Sequence, residues 1–292
     1  MEEVCFQGVQ SVSKISWTDI QFKRLNELNA DPEAMSTLFD THEERNCSYQ
    51  TLEKKLVKQE KSKLSEFLTN QLQTKVYKLE CRLTDILNQR GFARVTTPTI
   101  ISKTQLAKMS IDEQHPLFDH VFWVSGKQCL RPMLAPNLYR IMYELARLGK
   151  RPIRFFEIGP CFRKESDSAQ HNNEFTMLNL VEMGLPMESR QERLKELGQL
   201  IADAAGLKDY AFEQESSRVY GDTIDIVCGA DKLEIASGAM GPHRLDSAWR
   251  ITESWVGWGF GLERMVMVTE GGDSIGKWGK SLAYLDGIRL NF

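Results

Sequence analysis

Phe156-Glu157-Ile158-Gly159-Pro160-Cys161-Phe162-Arg163-Lys164-Glu165 runs from strand-forming residues into a cluster of charge. After a polar loop, Glu174-Phe175-Thr176-Met177-Leu178-Asn179 returns with a second strand-like pattern. The two runs predict an antiparallel hairpin with charged residues at its mouth. A guanidinium at such a mouth can hold a phosphate through two hydrogen bonds, where a lysine offers a point charge, so Arg163 is a candidate phosphate clamp. The alternative is a surface Arg–Glu pair.

Around this hairpin, short β-rich runs recur at 92–97, 121–124, 129–131, 153–158, 174–183, 223–227 and 233–237. Helical patterns interrupt them at 103–109, 137–148, 189–205 and 261–268. Links such as Ser125-Gly126-Lys127 are too short for parallel crossovers, which predicts an α+β fold: an antiparallel sheet flanked by helices. The glycines have neither Walker nor Rossmann spacing, so a nucleotide would be bound in another way. Gly259-Phe260-Gly261-Leu262-Glu263-Arg264-Met265-Val266-Met267 opens an apolar helix with an arginine in its first turns. Arg264 has either a structural partner or a ligand.

Toward the N-terminus, Thr18 and Gln21 have capping-box spacing, followed by Phe22, Leu25 and Leu28 at helical intervals. Asp31-Pro32 is an N-cap with proline at the first helical position, and Met35, Leu38 and Phe39 give a second apolar stripe. From 51 to 90 the pattern is helical, with Leu72, Val76, Leu79, Leu83 and Leu87 on one face and Gly91 as the stop. Residues 1–14 lack periodicity and the order of a signal peptide, and read as a tail. The expected organisation is a tail (1–14), a helical segment (15–90) and a sheet domain (91–292).

The chain has 292 residues, 41% hydrophobic and 26% charged, with no apolar run near the roughly 20 residues of a membrane span. A net charge of −3 gives no overall positive field, so a nucleic-acid contact would need a local patch. The candidate is Lys54, Lys55, Lys58, Lys61 and Lys63, interleaved with Glu53 and Glu60, and the alternative is a solvated helix face. Six cysteines form no CxxC pair and no cluster with the histidines, which argues against zinc and disulfides and for a reducing cytoplasm.

Pro98 after the first strand, the Phe-Arg-x-Glu hairpin and the Gly-x-Gly-x-Glu-Arg helix, in that order, resemble the three motifs of class II aminoacyl-tRNA synthetases. The segments 130–139, 156–166, 174–179, 219–223 and 260–264 further resemble the catalytic domain of the pyrrolysyl-tRNA synthetase family. Residues 16–90 resemble the helical segment that precedes the core in its short, bacterial-type form. The separate RNA-binding domain fused to the long form has no counterpart here.

The resemblance implies ATP and Mg2+ as cofactors. It implies that Arg163 holds the α-phosphate and substrate carboxylate, Glu165 the adenine amino group and His171 the outer phosphates. Phe175 and Arg264 would sandwich adenine, a contact worth about 1–3 kcal/mol. Arg163, Glu165 and Arg264 would be the catalytic set, and Glu234 and Ser237 the magnesium ligands; as bare sequence, Glu234 also reads as a solvated strand residue. Ala135, Leu138, Tyr139, Met142, Val181, Ser237, Trp255 and Gly257 would wall the amino-acid pocket, with Asn179 at its mouth and Tyr220 on a covering loop. Asn179 stands out without the resemblance, because an amide between Leu178 and Leu180 in an apolar strand needs a partner.

Three positions depart from the family pattern: Trp258 where a smaller residue is usual, Asn172-Asn173 after His171, and Met142 for leucine. The bulk of Trp258 bears on the floor of the adenylate site. The implied function is ATP-dependent activation of pyrrolysine or a close Nε-acyl-lysine and its transfer to an amber-suppressor tRNA, by a cytoplasmic homodimer with Lys54, Lys55 and Lys58 on the tRNA. A separate small tRNA-binding protein would be a further partner. The rivals are a phenylalanine-type synthetase and a catalytically silent synthetase-like RNA-binding protein.

Overall fold

Side-chain caps set the helices at the N-terminal end of the computed structural model, which describes residues 14–164, 172–272 and 274–292. Helix α1 (Asp19–Glu27) starts at the predicted capping box: Thr18 Oγ1 accepts the Gln21 amide at 3.2 Å, and Gln21 Oε1 accepts the Thr18 amide at 3.1 Å. Asp31 caps α2 (Pro32–Met35) through the Ala34 amide at 2.7 Å. Helix α3 (His42–Thr69) begins earlier than its apolar pattern suggests, at Thr41, whose hydroxyl accepts the Glu44 amide at 3.1 Å.

The helical pattern of 51–90 is two helices. Gln71 takes a positive φ of 49°, which ends α3, and Thr74 caps a new helix, α4 (Lys75–Gln89). Leu72 falls in the break and is 45% exposed, whereas Leu79, Leu83 and Leu87 are buried. Burying each of these leucines contributes about 1.5–3 kcal/mol.

The chain forms two compact units, the first running to Leu72 and including Ala283–Phe292, the second spanning Gln73–Leu282. The division therefore falls after Leu72, not at residue 90, because the leucine stripe of α4 packs on the sheet.

The second unit continues with β1 (Ala93–Arg94), β2 (Ile100–Ser102), α5 (Lys103–Ala107), β3 (Trp123–Ser125), β4 (Gln128–Leu130) and α6 (Ala135–Ala146). Then follow β5 (Ile153–Phe162), β6 (Glu174–Met183), α7 (Arg190–Ala205), β7 (Tyr210–Ser217), β8 (Gly221–Cys228), β9 (Leu233–Gly241), α8 (Asp246–Trp249), β10 (Trp255–Gly261) and α9 (Leu262–Thr269). The main sheet has the order β1-β5-β6-β10-β9-β8-β7 and is antiparallel except at β1/β5. A small sheet, β2-β4-β3, stands apart from it. The α+β expectation holds, and the hairpin around Arg163 is β5/β6, with Phe162 opposite Glu174.

Strand β10 lies at the centre of the sheet and alternates strictly between two cores. Val256, Trp258 and Phe260 join the leucines of α4, α7 and α9, while Trp255 joins α6, Val181, Met183 and Ala239 on the other face. The three glycines Gly257, Gly259 and Gly261 fall on the α6 face. Gly259 pairs with Asn179 of β6 on one side and with Ser237 of β9 on the other.

In the first unit Trp17 and Phe39 meet edge to face at 4.4 Å, over Leu25, Leu28 and Leu56. There the last strands, β11 (Tyr284–Leu285) and β12 (Ile288–Arg289), form a ribbon, and the Arg289 amide donates to buried Glu60 at 2.9 Å.

Candidate active site

Three neighbouring strands and one helix enclose the site. Because β10 places glycine at alternate positions, its α6 face is a bare floor. A Cβ at Gly257 would stand 3.1 Å from the Leu180 carbonyl oxygen, and one at Gly259 would stand 3.2 Å from Asn179 Nδ2. The floor, β6, β9, α6 and the β7–β8 turn surround a cavity of about 290 Å³. Ala135, Leu138, Tyr139, Met142, Asn179, Val181, Tyr220, Ser237, Trp255 and Gly257 all border it. A second recess of about 110 Å³ is bordered by Phe175, Arg264, Gly261 and Ile275, and shares Arg163, Met177, Glu234 and Gly259 with the first. Glu165 and His171 lie outside the described residues.

Arg163 sits at the junction of the two recesses. Its Nε donates to the Pro132 carbonyl at 2.9 Å, and its guanidinium carbon lies 5.1 Å from the centroid of Phe175. Arg264, half-buried, donates from Nη1 to the Glu234 carbonyl oxygen at 2.6 Å, which holds it beside the same recess. Its neighbour Glu263 is buried, and both of its carboxylate oxygens accept the Thr176 amide at 2.9 Å, tying the start of α9 to the strand that carries Phe175. Burial pushes the Glu263 carboxyl up, and the Thr176 hydrogen bonds pull it back.

Glu234 and Ser237 share the cavity face through a β-bulge. Ile226 pairs with Ala236 and Val227 with Glu234, so Ile235 is an extra residue in β9. Without it, residues three apart would point to opposite faces. Ser237 donates its hydroxyl proton to Asp225 Oδ1 at 2.6 Å. Desolvation raises the Asp225 carboxyl above its ordinary range, against the hydrogen bond from Ser237. Glu234, whose side chain is exposed at the rim, is likewise raised, first by desolvation and then by Asp225, and lowered by Arg264 and Arg163. Two crowded carboxylates and a hydroxyl form an all-oxygen donor set, which suits Mg2+, an ion that takes one or two protein carboxylates with phosphate and water as its remaining ligands.

In the larger cavity Asn179 has a buried Oδ1 with no hydrogen-bond partner among the described residues. Tyr139 stacks on Trp249 at 5.5 Å and meets Trp255 edge to face at 5.8 Å. Trp255 Nε1 donates to the buried Asp246 carboxylate at 3.0 Å, and desolvation raises that carboxyl too. Trp258 leaves the floor clear: its indole is buried on the opposite face, where Nε1 donates to the Leu194 carbonyl at 2.6 Å. Gly198 and Gly238 make room for the ring, since a Cβ at either would approach it to 2.7 or 2.8 Å.

Sequence reading did not single out Asp225, Glu263 or the buried pair Arg131–Glu157. Asp225 carried the same signal as Asn179, a polar residue inside an apolar strand run. Arg131 and Glu157 meet at 2.8 Å; Glu157 also accepts the Thr97 amide at 3.1 Å and its hydroxyl at 2.6 Å, next to Pro98. The pair braces the strand that leads into the site, and Gly159 admits it, because a Cβ there would stand 2.3 Å from Arg131 Nη2. On α3, Lys54, Lys55 and Lys58 are exposed, while Glu53 is bonded to Arg24 at 2.9 Å and Glu60 is buried.

The core domain of class II tRNA synthetases, F type, matches residues 62–281. The crystal structure of pyrrolysyl-tRNA synthetase from Desulfitobacterium hafniense is 51% identical, covers 94% of this chain and 98% of its own, and superimposes with a TM-score of 0.87. A second structure of a pyrrolysyl-tRNA synthetase from that organism is 48% identical, covers 98% of this chain and 99% of its own, and gives 0.86. The phenylalanine–tRNA ligase alpha subunit of Sulfurisphaera tokodaii is 33% identical over 158 residues, 51% of this chain, and the match spans 31% of that relative's length. No helix among the described residues is long and apolar enough to cross a membrane.

Proposed function

The chain belongs to the class II aminoacyl-tRNA synthetases, within the pyrrolysyl-tRNA synthetase family, and we propose that it activates pyrrolysine, or a close Nε-acyl-lysine, with ATP and transfers it to an amber-suppressor tRNA. The observation that carries this reading is the junction at Arg163: an apolar cavity with one unsatisfied amide, Asn179, opens there onto a recess bordered by an aromatic ring and a second arginine.

A long acylated side chain suits the cavity, with its amide carbonyl on Asn179. The α-carboxylate then meets the α-phosphate at Arg163. A carboxylate oxygen attacks phosphorus, the bond to the bridging oxygen breaks, and pyrophosphate leaves with its electron pair. Arg163 holds both anions in line, which replaces a bimolecular encounter with a positioned one. Adenine would enter between Phe175 and Arg264, and Glu165 and His171 would hold its amino group and the outer phosphates. Mg2+, when bound at Glu234 and Ser237, neutralises phosphate charge. The adenylate is then attacked by a ribose hydroxyl of the tRNA, releasing AMP.

For the tRNA we propose Lys54, Lys55 and Lys58 as a backbone contact, which carries affinity and no sequence information. A cytoplasmic homodimer fits the family. Ile100 and Val124, 47% and 55% exposed on the small sheet near Pro98, supply apolar surface for a twofold contact. A separate small tRNA-binding protein remains a further partner to look for. Charging of an amber-suppressor tRNA, followed by acid gel electrophoresis, tests the reading: a shifted acylated band with pyrrolysine is expected, and none with pyrrolysine but one with phenylalanine would overturn it.

A further inference from the structure

The turn between β7 and β8 reaches over the amino-acid cavity from the edge strand of the sheet, and it carries Val219 and Tyr220 into the cavity lining. Its own bonds are local: Ser217 Oγ accepts the amides of Val219 at 3.2 Å and Tyr220 at 3.3 Å. What fixes it to the rest of the site comes from two consecutive residues in the loop after β9. Arg244 donates from Nη2 to the Arg218 carbonyl at 2.9 Å and the Val219 carbonyl at 3.0 Å. His243 Nε2 is hydrogen-bonded to the Tyr220 carbonyl, and its ring centroid lies 5.5 Å from the Tyr220 ring.

The tautomer follows from the surroundings. His243 Nδ1 accepts the Leu245 amide at 3.3 Å, so the proton sits on Nε2 and is donated to Tyr220. The loop that presents both residues is itself anchored, because Asp246 accepts the His243 amide at 2.6 Å and the Trp255 indole N–H at 3.0 Å. All three acceptors on the turn are main-chain carbonyls. The contact therefore sets the backbone path and with it the direction of the Tyr220 ring, whatever side chains the turn carries.

From this geometry we propose that His243 and Arg244 are positioning residues that latch the β7–β8 turn over the amino-acid cavity. They govern recognition of the substrate side chain without touching it and without acting on ATP. The proposal rests on the reading of that cavity as the amino-acid site.

ATP–pyrophosphate exchange separates the two claims. With Arg244→Ala and His243→Ala, KM for the amino acid is expected to rise roughly tenfold each, the worth of one or two carbonyl hydrogen bonds, while KM for ATP stays within about twofold. His243→Gln, which keeps an N–H donor at the same reach, should recover most of the loss. If wild-type protein exchanges with a different amino acid, the substrate reading fails and the latch is measured with that amino acid. If both KM values rise together, or kcat falls alone, the latch is wrong.

A second measurement needs no activity and covers a His243 variant that fails to fold. The carbonyl that Arg244 holds belongs to the Arg218–Val219 peptide bond, a trypsin site. Arg244→Ala should speed cleavage there by about tenfold or more, located by mass spectrometry, with other sites unchanged. Equal cleavage rates in the two proteins would overturn the proposal.

Discussion

Glu234 and Ser237 face the same cavity although they stand three positions apart along β9, because Ile235 is inserted as a bulge opposite the step from Ile226 to Val227. Ser237 is the direct cross-strand partner of Asp225, with Oγ 2.6 Å from Oδ1, and the bulge turns Glu234 to the same face, so the oxygen cluster is assembled from two strands. Electrostatic crowding there, raised carboxyls at Asp225 and Glu234, is what an approaching cation would relieve.

Arg163→Ala should lower adenylate formation by at least about 10²–10³-fold, the scale of removing one charged group that stabilises a transition state. The melting temperature should move little, since the side chain is only partly buried and packs no core. Exchange activity within a few fold of wild type would remove Arg163 from its role.

Asn179→Ala should reduce kcat/KM for an Nε-acyl-lysine more than about tenfold and leave KM for ATP unchanged. The buried Oδ1, without a partner among the described residues, motivates this, because a structural amide is normally satisfied by its surroundings. A loss smaller than tenfold makes Asn179 structural.

Asp225→Asn should gain stability relative to wild type as pH rises. Burial raises the folded-state carboxyl above its usual value of 3.8, so the folded protein binds the proton more tightly than the unfolded chain, and wild type loses stability as pH climbs through that window. The variant has no such loss. Thermal melts of both proteins from pH 3.5 to 7 check it; a constant difference across that range would contradict the expectation. Activity should fall in the same variant, since the amide still accepts from Ser237 but the oxygen cluster loses a negative charge that would hold a divalent cation.

Replacing Lys54, Lys55 and Lys58 together by Ala should weaken tRNA charging and flatten its salt dependence, by up to about 1 in slope for each phosphate no longer neutralised. Adenylate formation should be nearly unchanged. A parallel decline of both would make the run a folding element.

Trp258→Ala should cost about 3–5 kcal/mol of stability, because the ring fills space cleared by Gly198 and Gly238 and its N–H satisfies the Leu194 carbonyl. Pocket specificity should be retained in whatever fraction remains folded. A variant as stable as wild type but altered in amino-acid preference would instead return Trp258 to the floor of the site.

Much of this architecture was legible before folding was considered. The hairpin around Arg163 stood out as two strand-like runs joined by a polar loop, and the caps at Thr18 and Asp31 stood in plain pattern. The central strand β10 did not. Its three glycines suppress the strand signal, since glycine is depleted in sheets, and only the neighbouring strands and the ligand-sized space above them explain why glycine is there. The break at Gln71 was hidden because one apolar stripe continued in phase across two helices. Trp258 misled by size alone: chain order gave its bulk, and the pleat decided which face received it. Asp225 and His243 were unremarkable in order along the chain, because their partners, Ser237 and Tyr220, are brought in by strand pairing and a loop.

The central claim, that one junction at Arg163 joins ATP to a long acylated amino acid, is tested most directly by ATP–pyrophosphate exchange on the purified chain with pyrrolysine, an Nε-acyl-lysine and phenylalanine in parallel. Exchange that depends on pyrrolysine or the acyl-lysine and stays at background with phenylalanine is the predicted result; exchange with phenylalanine alone, or with none of the three, would contradict it.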